Sequence, residues 1–136
     1  MTMKKRIAAG AAVVGIQFVS DFLVHGILLK SAYQATASVW RPMAEMQSLM
    51  WTMWITYLVS AAVLPYLYAK GYEAQKSPIG QGLRFGAAIG VLMSSGMSLG
   101  TYFMVPIPVS MAVSWFIGGM IQFLLVGVAI AMIEKP

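Results

Sequence analysis

Apolar residues run almost without interruption through four stretches of the chain, 7–29, 49–69, 85–104 and 109–133, with polar and charged residues gathered between them. At 1.5 Å of rise per residue, each stretch reaches roughly 30 Å as a helix, the thickness of a bilayer's hydrocarbon core. Backbone groups in lipid must bond within their own segment, so the pattern predicts four helices rather than strands. The expected fold class is all-α: a polytopic membrane protein forming one domain over 1–136, with four transmembrane helices in an up-down bundle.

The stretch 30–48 fits neither a free loop nor a span, because Tyr33, Val39, Trp40, Met43 and Met46 are interleaved with polar residues. It predicts an interfacial amphipathic segment, broken near Arg41 because the residue before Pro42 is biased away from helical geometry. Pro42 then suits the first turn of a long second helix. Gly71 is placed to end that helix, and Ser77 with Pro78 supplies an N-cap and first-turn proline for the third. Pro106 and Pro108 force a tight turn, making helices three and four antiparallel neighbours. Pro65 is expected to kink the second helix.

Charge adds an orientation. With the N-terminus in the cytoplasm, Lys4, Lys5, Arg6, Lys70, Lys76, Arg84 and Lys135 lie inside and only Lys30 and Arg41 outside, so both termini are expected in the cytoplasm. Trp40, Trp51, Trp54 and Trp115 then fall in the outer half, and Tyr66, Tyr68 and Tyr72 at the inner edge, as interfacial aromatic belts do. Composition agrees with the bilayer: 60% of residues are hydrophobic and 10% charged. The net charge of +5 is spread over segment ends rather than gathered on one polar face, which argues against a nucleic-acid partner. The expected partners are lipid and a second copy or another membrane protein.

Within the first stretch, Gln17, Asp21 and His25 recur at i, i+4 and i+8, which places them on one face of a helix. Ionisable groups inside a membrane face the protein interior and mark functional sites by default. Arg41 from the outer segment is a candidate partner for Asp21, with Gln122, Ser94, Ser95 and Ser98 able to extend the network. Two readings stay open: a hydrogen-bonded pin that fixes helix order and docks the outer segment, and a site for a proton or small ligand.

The third helix carries G-x-x-x-G steps at Gly82, Gly86 and Gly90, then at Gly96 and Gly100. Small residues let backbones approach closely in lipid, so all five are expected at helix contacts, within the chain or between copies. The twelve methionines are adaptable packing rather than a copper route, since no His-rich or Met-rich arm collects metal. No cysteine is present, there is one histidine, and no G-x-S-x-G elbow occurs. No metal, cofactor or catalytic site is therefore expected, and the chain is read as a non-enzyme.

The run His25-Gly26-Ile27-Leu28-Leu29, then Tyr33, Trp40-Arg41-Pro42 and Glu45-Met46, followed by Tyr68-Ala69-Lys70-Gly71-Tyr72-Glu73, resembles small bacterial four-helix membrane proteins classed as domains of unknown function. The resemblance is architectural, and what it implies is a bacterial inner-membrane location without an activity. The expected function is that of a small structural or accessory membrane protein. The alternative is a small-solute or proton-coupled transporter using Asp21 and His25.

Overall fold

The computed structural model describes residues 2–135, which are helical almost throughout and contain no strand. Helix α1 (Met3–Asp21) continues into a π-helical segment (Phe22–Leu28). Two short helices, α2 (Lys30–Ala35) and α3 (Met43–Ser48), flank a single 3₁₀ turn (Ala37–Val39). Then come α4 (Met50–Lys70), α5 (Pro78–Met104) and α6 (Val109–Glu134). Four units of 21 to 27 residues, α1 with its π segment, α4, α5 and α6, are long and apolar enough to cross a membrane.

Local chemistry explains most boundaries. Thr2 caps α1 by accepting from the Lys5 amide at 3.2 Å. Ser77 does the same for α5 from Gly80, with Pro78 in the first turn. Helix α5 therefore starts seven residues before the apolar run at 85, because a cap, not hydropathy, sets its beginning. Pro42 stands at the N-cap of α3 rather than inside a long second helix, and a break at Leu49 separates α3 from α4.

The helices pack antiparallel in the order α4, α1, α6, α5. Helix α1 lies between α4 and α6, whereas α5 rests mainly on α6. The consecutive pair α4 and α5 therefore shares little surface, and Tyr68 meets Phe85 edge-on at 5.5 Å near the end that holds both termini. That terminal end is also tied by Lys5, whose ammonium donates to the Lys135 carbonyl at 2.6 Å. A cation there satisfies carbonyls that the last turn of α6 leaves free.

Two close approaches hold the layer. Helix α5 meets α6 through Gly82, Gly86 and Gly90: a Cβ at Gly82 would stand 2.6 Å from the Gly127 carbonyl oxygen, and one at Gly86 would strike the Phe123 carbonyl. Gly96 and Gly100 make no such contact within the chain, since neither has a neighbour within 4 Å of its Cβ position. The same motif lies partly on the α6 face and partly off it.

At the α1–α4 seam, a Cβ at Gly10 would stand 3.1 Å from the Ala61 carbonyl oxygen. Ala61 precedes Pro65 by four residues, so that carbonyl has no intrahelical N–H to accept. Helix α4 nonetheless runs unbroken through Pro65, which is buried. Ala9, Val13, Leu64, Tyr68, Phe123, Val126, Ile130 and Ala131 form the core beside this seam.

Candidate functional site

Asp21 closes the regular part of α1, and both its carboxylate oxygens are occupied. Oδ2 accepts from the Tyr57 hydroxyl of α4 at 2.7 Å, and Oδ1 from Gln122 Nε2 of α6 at 3.3 Å. The Gln122 amide also reaches the Gln17 backbone carbonyl at 3.4 Å, and Gln17 Nε2 donates to Ser60 of α4 at 3.3 Å. Gln17 and Gln122 are buried. One polar cluster thus ties three helices where they meet.

This cluster holds no cation. The described residues contain three ion pairs, none of which includes Asp21. Arg41 pairs instead with Glu45 one turn along, both exposed, in the kind of contact that contributes little to stability. The expected Asp21–Arg41 partnership is absent: the guanidinium pairs with the Glu45 carboxylate of α3, and Asp21 is met by Tyr57 and Gln122.

His25 takes a partner of its own. The π segment bonds i to i+5, with the Leu29 amide donating to the Val24 carbonyl at 2.9 Å, so a four-residue step no longer completes a turn. Gln17 and Asp21 share a face, and His25, about one π turn further on, is not hydrogen-bonded to Asp21. Its Nδ1 is 2.6 Å from the Tyr33 hydroxyl of α2.

Around that contact stand four rings. His25 and Tyr33 lie 5.8 Å apart, Tyr33 and Trp40 5.6 Å, and Trp40 and Trp115 5.9 Å. Trp115 is buried on α6. Trp40 is held in turn by its Nε1–H bond to Thr36 at 2.9 Å. Tilted aromatic pairs at such spacings attract beyond their simple burial. Together they dock the segment 30–40 onto the end of the bundle opposite the termini, and burial there pushes the Tyr33 phenol up to about 12.

The helix-three serines do not join the cluster. Ser98 donates to the Ser94 carbonyl at 2.6 Å and Ser95 to Leu92 at 3.3 Å, both within their own helix. Ser94 Oγ is buried without a partner, packed where a Cβ at Gly119 would otherwise sit. Gln17 Oε1 and Trp115 Nε1 are likewise buried and unpartnered.

Tyr57 is the site residue that hydropathy alone does not reveal. A tyrosine in the second turn of an apolar helix carries a hydroxyl that needs a partner when buried, and this was the available signal. Among the described residues, no group of three or more His, Cys, Asp or Glu side chains is arranged to hold a metal ion. No family model matches the chain, and no curated protein or solved structure matches it.

Proposed function

We propose that this chain is a multi-pass protein of a bacterial inner membrane, with both termini cytoplasmic, acting as a structural or accessory component. Its polar centre is a pin. The observation that carries this reading is the occupancy of Asp21: two neutral donors from two different helices satisfy it. Exchanging either donor for a ligand would break a bond that holds the bundle.

The orientation rests on the seven cations that share the terminal end and on the tryptophans at the other. Reporter fusions at Lys76 and at the C-terminus should read as cytoplasmic, and periplasmic signals from both would reverse the topology.

Asp21→Asn and Asp21→Leu separate the pin from a carrier. Asn keeps an oxygen for Tyr57, so it should preserve insertion and most of the stability, whereas Leu strands two buried donors and should destabilise the bundle. A carrier would instead show a pH-dependent solute or proton flux in vesicles that Asp21→Asn abolishes at unchanged stability. One observation supports that second reading: Gln17 Oε1 lies buried and unpartnered one turn from Asp21, an acceptor open to a small donor.

A further inference from the structure

The charge of the chain is divided very unequally between the two ends of the bundle. The terminal end carries seven of the nine Lys and Arg residues against Glu73 and Glu134, and so holds the entire net charge of +5. In the remainder, Lys30 and Arg41 are balanced by Asp21 and Glu45.

Three of the seven cations are engaged. Lys76 and Arg84 each lie 2.8 Å from a Glu73 oxygen, and Lys5 is bound to the end of α6. Lys4, Arg6, Lys70 and Lys135 remain, all exposed and without an ion-pair partner among the described residues. Ala9 and Val13 share a core with Leu64 and Tyr68, so the antiparallel register sets Arg6 and Lys70 at about the same level on adjoining helices. The Lys70 ammonium sits over the Tyr66 ring, 5.2 Å from its centre.

Beside these cations the surface is apolar: Met3 and Ile7 on α1, and Tyr66 and Leu67 on α4, are all exposed. Charge at the rim with apolar side chains along the helix is the complement of a phospholipid, whose phosphate stands above its acyl chains. A soluble acidic partner or nucleic acid would have no use for the apolar half. We infer that the terminal end binds anionic phospholipid headgroups, with Arg6 and Lys70 flanking one phosphate at the α1–α4 seam and Lys4 and Lys135 extending the collar. Arg6 suits the phosphate because its planar fork presents two parallel donors. Positive clusters at the ends of spanning helices recruit such lipids, each cation favouring them by about fivefold. This inference rests on the membrane reading above.

The test is lipid selection by the purified full chain from mixed micelles of phosphatidylglycerol and phosphatidylcholine in equal amounts, counting the lipids that co-purify. Phosphatidylglycerol should be enriched about fivefold or more, and raised salt should erase most of that. Arg6→Gln and Lys70→Gln should each cut the enrichment, Arg6→Lys should retain most of it, and the far-end pair Lys30→Gln/Arg41→Gln should leave it unchanged. No enrichment in the unaltered protein, or equal loss from the far-end pair, overturns the inference. Alkaline carbonate extraction of cell membranes separates the two failures. A chain that washes out defeats the membrane reading, whereas one that stays embedded without lipid preference defeats the headgroup site alone.

Discussion

Tyr57 and Asp21 come from helices that run antiparallel, and the phenol of one donates to the carboxylate of the other at 2.7 Å. The bond joins α4 to α1 at the point where α1 changes from α- to π-helical winding. Tyr57→Phe removes the donor and leaves the ring, so the packing term is nearly constant. Interhelical hydrogen bonds in membrane bundles contribute about 0.6 kcal/mol on average and at most about 1.7, and the loss should fall in that range. Thermal unfolding in detergent measures it. In a double-mutant cycle with Asp21→Leu, which removes the acceptor, the two losses should not add, since both break the same contact.

The same glycine spacing has opposite consequences along α5. Gly86→Ala drives a methyl into the Phe123 carbonyl, which is backbone and cannot swing aside, and overpacking of that kind costs about 1 to 3 kcal/mol. Gly96→Ala meets nothing and gains helix propensity, so it should be neutral or stabilising by up to about 1 kcal/mol. The melting temperature of Gly86→Ala should fall, and that of Gly96→Ala should hold or rise. A large loss at Gly96 would instead indicate a contact outside the chain.

The number of helices was legible because long apolar runs with few charges permit little else. The start of α5 was legible in Ser77 and Pro78, its N-cap and first-turn proline, although the apolar run begins only at 85. Gln81 is buried within α5, bonding Glu73 and Lys76 to fix the turn. The spacing of Gln17, Asp21 and His25 was legible, but not the π winding that carries His25, because a π segment has no hydropathy signature. The partners Tyr57 and Tyr33, and the divide between Gly90 and Gly96, depend on the register of one helix against another, which no single stretch encodes.

Acid should loosen the link between α4 and α5. Lys76, then Arg84, hold the Glu73 carboxyl below its ordinary value of 4.5. Because the folded value is depressed, the stabilisation is complete above the ordinary value and fades as pH falls through the lower, folded one. Limited proteolysis at 71–77 should therefore accelerate in that acid window, and Glu73→Gln should show the faster rate at neutral pH already. Glu73 is exposed, so salt should shrink the difference.

The segment 30–40 should detach when Tyr33 loses its ring rather than its hydroxyl. Tyr33→Phe sacrifices the contact to His25 but keeps the stack on Trp40 and Trp115, whereas Tyr33→Ala removes both and opens the cluster. Trp40 and Trp115 report the outcome through their fluorescence: Phe should leave the emission nearly unchanged, and Ala should make it more water-like. The phenol offers an independent check. Its folded value is raised to about 12, so docking is intact below 10 and weakens as pH climbs through 12. Tyr33→Phe should abolish that alkaline phase in the tryptophan signal while leaving the neutral-pH spectrum in place. If the phase persisted in Tyr33→Phe, a group other than the Tyr33 phenol would be releasing the segment.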